Sequence, residues 1–236
     1  MCGFIQRKKN DPTVAKVFDL LGQPDLFKQL TKNTVYDVEN FYPAFGGNAN
    51  RKITGIIIQG REGLELLDAT WWFDCTKSGK SLEIGKRTTY NARNLDSPFW
   101  KGAFRHNRGI LVATAFGESS MVGKTKHQYL MEGNRGAILL GAVYRRFSNG
   151  QASCAVITRE ASPEFAEFHE KAMPLMLPAK KTFLKTWLHP DIKESPIIDD
   201  VVNNSIVRTG LRVTEVKSFK SGIPVNDQTI LLKKAI

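Results

Sequence analysis

Apolar positions recur along the chain in two rhythms. Val14, Val17, Phe18 and Leu21 stand at i, i+3, i+4 and i+7, the spacing of one helical face. Asn10 or Asp11 caps that helix, Pro12 falls in its first turn and Gly22 ends it. Pro24 to Lys32 reads as a second short helix and Pro98 to Phe104 as a third. Pro163 to Lys171 keeps helical spacing through Phe165 and Phe168 and stops before Met173-Pro174. Ala179 to Leu188 puts Phe183, Leu184 and Trp187 on one face. The other rhythm belongs to strands. Phe4–Ile5 reads as a short strand that carries Cys2 into the core. Ile53 to Gln59 and Leu64 to Leu67 follow, joined by the turn Gly60-Arg61-Glu62-Gly63. Arg108 to Ala115 reads as one buried strand ending at Phe116-Gly117-Glu118-Ser119. His127 to Leu130, Ala137 to Val143, Cys154 to Thr158 and Leu211 to Phe219 complete the set.

Between these elements lie an aromatic loop (Phe41 to Asn48), an aromatic cluster (Ala69 to Phe73) and a basic turn (Lys77 to Lys80). Many short strands with a few interspersed helices predict an α+β fold with a mixed, mostly antiparallel sheet and flanking helices. No linker, repeat or low-complexity tract divides the chain, so residues 1–236 are expected to form one domain.

Composition narrows the class. At 236 residues and 42% hydrophobic, the chain can bury a full core. No apolar run approaches the ~20 residues of a membrane span, and the polar stretch from Gln6 to Asp11 is no secretory signal. Cys2, Cys75 and Cys154 are an odd, widely spaced set that suggests neither disulfides nor a metal site. These features point to the cytoplasm. The charge is less ordinary: 34 Lys and Arg against 23 Asp and Glu give a net charge of +11. That balance suggests a polyanionic partner, nucleic acid before membrane. Arg7, Lys8, Lys9, Arg51, Lys52, Lys86, Arg87 and the pairs Arg145-Arg146 and Lys180-Lys181 either line a phosphate-tracking groove or are solvated faces. Trp71, Trp72 and Phe73 either form a shelf for bases or belong to the core.

Several motifs fail on spacing. Gly123-Lys124-Thr125 matches the end of a P-loop, but Gly117 leaves five intervening residues where about four are required. His169-Glu170 begins like a zinc-protease helix, yet Met173 stands where the second His should be. His106, His127 and His189 share no ligand spacing. Neither a metal nor a cofactor is called for.

Cys2 carries the most distinctive chemistry. Removal of Met1 leaves an α-amine (reference pKa about 7.7–8.0) and a thiol (about 8.5) on one residue. Asn91-Ala92-Arg93 follows an extended run, Glu118 ends an apolar strand, and His169 precedes Met173-Pro174. With Met1-Cys2-Gly3 and the Trp-rich stretch, this order resembles the SOS-response-associated peptidase (SRAP) family, whose members crosslink to abasic sites in DNA. The likeness runs over about residues 2 to 220 and implies a curved SRAP-like sheet. It departs from the family pattern at Phe4, where Arg is usual, and at Ser119, where Trp is usual. The interval from His169 to Pro174 is also one residue longer.

The resemblance implies a mechanism. The 1,2-aminothiol of Cys2 would close on the aldehyde of a ring-opened abasic site to give a thiazolidine. Glu118 would be general acid/base and His169 a second acid/base or a holder of the deoxyribose oxygen. Asn91 would bond near Cys2 or the sugar, and Arg93 would bind a flanking phosphate. Arg7, Lys8, Trp71 and Trp72 would contact DNA. The implied partner is single-stranded or junction DNA containing abasic sites, in the bacterial cytoplasm or nucleoid, with the protein acting as a monomer. Met1 would leave by self-cleavage or through an aminopeptidase. Two other readings stay open. One is an N-terminal-nucleophile glutamine amidotransferase, for which Asn149-Gly150 would serve the oxyanion, although it reads first as a hairpin turn. The other is a non-catalytic, basic single-strand DNA-binding domain.

Overall fold

The structure is a computed structural model that describes residues 2–32 and 37–235. Met1, whose removal the aminothiol chemistry requires, lies outside them. β1 (Phe4–Lys8) leads into α1 (Pro12–Leu21). The Asp11 side chain accepts a hydrogen bond from the Thr13 amide, and Gly22 closes the helix with φ 73°. Val14, Val17, Phe18 and Leu21 are all buried, as their spacing predicts. α2 (Pro24–Lys32) buries Leu26 and Leu30. Then come β2 (Val38–Phe41), β3 (Lys52–Gln59) and β4 (Leu64–Trp71). β4 runs past the expected Leu67, because Leu67, Ala69 and Trp71 continue the alternation into the core.

β5 (Cys75–Ser78) and β6 (Ser81–Ile84) form a hairpin around Gly79-Lys80, followed by β7 (Asn91–Ala92) and α3 (Pro98–His106). The single strand expected over Arg108 to Ala115 is two: β8 (Arg108–Ala113) and β9 (Ala115–Val122). The chain changes sheets at Thr114, whose amide donates to the Gln6 carbonyl and whose carbonyl accepts from the Gly133 amide. Every residue from Arg108 to Glu118 is buried, so no change of pattern marks the corner. β10 (Thr125–Gly133), β11 (Ile138–Arg146) and β12 (Ala152–Arg159) follow. Asn149-Gly150 is the hairpin turn between the last two. The helix expected to Lys171 stops early as α4 (Pro163–Ala166). After β13 (Met173–Pro174) and α5 (Lys181–Leu188), the chain adds α6 (Pro196–Asn203), β14 (Leu211–Val216) and β15 (Pro224–Leu232). No described helix is long and apolar enough to cross a membrane.

Two sheets result. One has the order β15-β14-β10-β9-β1-β2, antiparallel throughout. In the other, β11-β8-β3-β4-β12 closes on itself because β12 also pairs with β11. β12 runs parallel to β4 and β7, so this sheet is mixed. Alternate residues of the closed sheet join different cores. Ile56, Ile58, Leu111, Leu140 and Val156 pack with Cys2, Ile5 and Phe116. Ile57, Ile110, Val112, Leu139 and Ile157 pack against α1, α3, α5 and α6. Burial on both faces explains why these strands read as continuous apolar runs. The expected α+β fold with curved, mostly antiparallel sheets is the one observed.

Candidate functional site

The antiparallel pairing of β1 with β9 builds the centre of the site. Phe4 lies opposite Gly117 and Ile5 opposite Phe116. Continuing that register backward carries Gly3 and Cys2 alongside Glu118 and Ser119. Cys2 is fully buried and its Sγ lies 3.7 Å from the Phe4 carbonyl oxygen. Glu118 is 1% exposed on the strand beside it. Burial raises the Glu118 carboxyl to about 7, with the positive charge of the amino terminus acting the other way. Burial also pushes the Cys2 thiol well up, and the charge of Glu118 adds to that rise.

Asn91 arrives from another sheet. Its strand β7 is held in parallel against β12, with Asn91 opposite Val156. From there its Nδ2 donates to the Cys2 carbonyl at 3.2 Å. Its Oδ1 is buried without a hydrogen-bond partner among the described residues, so one acceptor faces the site uncommitted. His169 follows α4 on a further turn, closed by its amide bonding to the Phe165 carbonyl. That turn accommodates the longer interval to Pro174 and brings the His169 Nδ1 within 3.0 Å of the Ser119 carbonyl oxygen. A carbonyl only accepts, so Nδ1 carries the proton and Nε2 is the acceptor of the neutral ring. Burial lowers the His169 pKa, and the positive charges of the amino terminus, Lys171 and Arg93 push the same way while the Ser119 bond opposes them. Arg93 is exposed.

Cys2, Asn91, Glu118 and His169 therefore converge from four separate chain segments, with the charge of Arg93 acting on His169. Tyr90 belongs with them. Burial raises its hydroxyl, and the negative charges of Cys2 and Glu118 add to the shift. Its position just before Asn91 was the only sequence signal. Phe4 occupies the position where Arg is usual in the family pattern. It is buried and stacks on Phe219, with ring centroids 5.1 Å apart and planes at 8°; Tyr42 packs at 5.3 Å. The Phe219 ring lies over Gly117, where an added Cβ would come within 2.6 Å of it. The sequence places Phe219 at the end of the strand from Leu211, which stops at Val216, and nothing in it ties Phe219 to the site.

Several expected DNA contacts are placed differently. Arg7 is completely buried: its Nε and Nη2 donate to Glu39, Nη2 also reaches Thr54, and its guanidinium lies over the Phe41 ring. A strand residue alternates inward regardless of charge, and Glu39 compensates the burial. Arg7 lines no exposed groove. Lys8, next in the strand, points outward and pairs with Glu132 at 3.1 Å. Trp71 and Trp72 are core residues, and not the exposed shelf that was one of their two readings. The Trp71 Nε1 donates to the Tyr90 carbonyl at 2.8 Å and the Trp72 Nε1 to the Gly85 carbonyl at 3.2 Å. Phe45, half exposed and packed edge-on against Trp72 and Tyr90, is the aromatic ring available at that margin. Among the described residues, no group of three His, Cys, Asp or Glu side chains is placed to hold a metal ion.

Comparisons with known proteins bear on the family and the fold. The family model for "SOS response associated peptidase (SRAP)" matches residues 1–219. No curated protein matches. The solved structures that share the fold include these three. A protein from Bacteroides thetaiotaomicron is 15% identical with TM-score 0.62, the alignment covering 96% of this chain and 97% of that one. A protein from Bordetella bronchiseptica is 17% identical with TM-score 0.63, covering 92% and 100%. A phage-related protein from the same organism is 16% identical with TM-score 0.61, covering 94% and 100%. With its family pattern matched over nearly its whole length, the chain belongs to the SOS-response-associated peptidase family.

Proposed function

We propose that this protein, once Met1 is removed, forms a covalent crosslink through Cys2 to ring-opened abasic sites in single-stranded or junction DNA. Family membership supports a role linked to the SOS response to DNA damage. The observation that carries the chemical reading is the buried Glu118 carboxyl, raised to about 7, beside a buried Cys2 whose carbonyl is held by Asn91.

The α-amine of Cys2 attacks the aldehyde carbon, forming a C–N bond and a carbinolamine. Protonated Glu118 gives its proton to the departing hydroxyl and its carboxylate takes back the proton shed by nitrogen, so one water leaves as the imine forms. The thiol then adds across the C=N bond: sulfur bonds to carbon and the thiol proton ends on nitrogen. The product is a five-membered thiazolidine, with one water lost overall. The second closure is intramolecular, so its effective concentration is high. A thiol kept protonated by burial suits this order, because the amine acts first. Glu118, poised near neutrality, can give and retake a proton in both directions. His169 serves as a second proton carrier through Nε2 or orients the sugar oxygen. Arg93, exposed nearby, suits a flanking phosphate.

The amidotransferase reading loses its oxyanion element. From the β11–β12 turn, the Asn149 Nδ2 donates to the carbonyls of Gly79 and Ser81 in the β5–β6 hairpin. The test is incubation of the protein, with its N-terminus verified as Cys2, with single-stranded DNA carrying one abasic site. A heat-stable shifted band is expected, absent in Cys2→Ala and in protein retaining Met1. Absence of the band in the wild type rejects crosslinking. Retained DNA affinity without a band favours a binding-only domain.

A further inference from the structure

β1 runs from the Cys2 end of the molecule to Lys8 and hands the chain to α1 at the other end. At that far end lies a cavity of about 710 Å³, bounded by α1, the turn after β10 and the ends of β14 and β15. Five cations line it: Lys16, Arg135, Arg208, Lys233 and Lys234. Among the described residues, no Asp or Glu does. The cavity is distinct from the Cys2 centre. In the β9–β10 pairing Tyr129 stands opposite Glu118, whereas the cavity begins with the Asn134 to Ala137 turn beyond Glu132 and Ala115.

Two features mark the wall as more than a solvated face. Arg208 is half-buried and its Nη2 donates to the Asn204 carbonyl at 3.1 Å, but its Nε is buried with no hydrogen-bond partner among the described residues. A buried guanidinium N–H without an acceptor is costly and calls for one. Asp200 is the acid that acts on Arg208, and Asp200 is itself engaged by the Asn204 side chain. Arg135 holds φ 66°, a left-handed conformation uncommon outside glycine.

The cations share the wall with Val17, Leu20, Leu231 and Leu232, and with the neutral polar side chains Thr13, Asn134 and Thr209. Inorganic phosphate would answer the cations and leave the aliphatic wall wet. An acyl chain would cover the wall and leave the Asn134 amide unmet, the Thr13 and Thr209 hydroxyls already donating to Asp11 and the Ala137 carbonyl. A phosphate carried on a flat body with hydrogen-bonding edges meets all three, and the volume falls within the range of small-molecule sites, roughly 300–1,000 Å³. We infer that this cavity is a second binding site, separate from the Cys2 centre, for a nucleoside phosphate, supplied either as a free nucleotide or as the terminal nucleotide of a DNA strand.

Calorimetric titration of the full chain tests this with four probes: deoxyadenosine 5′-monophosphate, deoxyadenosine, inorganic phosphate and a 5′-phosphorylated trinucleotide. The monophosphate is expected to bind at least about tenfold more tightly than the nucleoside or phosphate alone. Arg208→Gln should weaken it by about tenfold or more, the loss of one charge-assisted contact. Because Arg208 also bonds to Asn204, the exposed pair Lys16→Glu/Lys234→Glu provides a second variant, and it should weaken binding similarly with Tm unchanged. A trinucleotide that binds more tightly than the monophosphate, with the same sensitivity, identifies a DNA end as the source; equal or weaker binding identifies a free nucleotide. Absence of binding by both nucleotide probes, inorganic phosphate binding as tightly as the monophosphate, or binding indifferent to both variants overturns the inference.

Discussion

Two acids flank β1, Glu39 half-buried and Glu118 buried, and they are held in opposite ways. Glu39 faces Arg7 at one end of the strand. Burial alone would raise its carboxyl, but the charge of Arg7 and hydrogen bonds from Lys9, Arg7 and Thr54 outweigh it and hold the group below the usual range. Glu118 faces Cys2 at the other end, where burial dominates and raises it to about 7. Both are carboxylates with restricted access to water, yet only one can exchange a proton near neutral pH. A buried charge surrounded by matched partners is a structural tie. A buried acid whose burial outweighs its partners is a poised proton carrier.

The comparison is broken most forcefully by removing the Glu118 proton. Glu118→Gln should slow crosslinking by about 10²–10⁴-fold, the usual range for a general acid/base, measured as the initial rate of band formation. Glu39→Ala should leave that rate within about threefold of wild type but cost stability of about 3–5 kcal/mol, because it strands the Arg7 charge. The lower end is expected, since the Glu39 side chain remains 17% exposed. Chemical denaturation measures it. If the two variants exchange phenotypes, the distinction between tie and carrier is wrong.

pH sharpens the contrast. Folded Glu118 titrates near 7 against an ordinary 4.5, so its protonated form is the one the fold prefers. The stability it contributes is complete below about pH 4.5 and is lost as pH rises through about 7, roughly 3 kcal/mol in size. Wild type should therefore lose stability between pH 5 and 8 relative to Glu118→Gln. Glu39 has the opposite sign: its folded pKa is depressed, so its contribution is present above the ordinary 4.5 and fades as the solution is acidified. Parallel denaturation series at several pH values read both. The smallest effect belongs to the strand's outward face. Lys8→Ala removes an exposed pair with Glu132 and should change stability by less than about 1 kcal/mol.

Much of this was legible in the chain. Val14, Val17, Phe18 and Leu21 announced α1 because one face alone is buried. The order of Cys2, Asn91, Glu118 and His169 named the residues that the fold gathers. What stayed hidden has physical causes. The Thr114 corner lies in a stretch buried on both faces, so no polar residue marks it. β15 is solvent-exposed for most of its length, and its apolar pattern is faint. Arg7 misled because its residue type suggested a surface role, and Trp72 read equally as shelf or core; their partners, Glu39 and the Gly85 carbonyl, lie 32 and 13 positions away. Phe219 reaches Phe4 from the far end of the sequence, a contact that only the folded sheet creates.

The central claim is that both functional groups of Cys2 end on one carbon of the lesion. Intact-mass analysis of the protein, with Cys2 at its N-terminus, after reaction with an abasic single strand tests this most directly. The account predicts an adduct equal to the sum of the two reactants less one water, stable to heat without added reductant and mapping to the Cys2 peptide. An adduct that appears only after borohydride trapping, or that maps to a lysine, contradicts it.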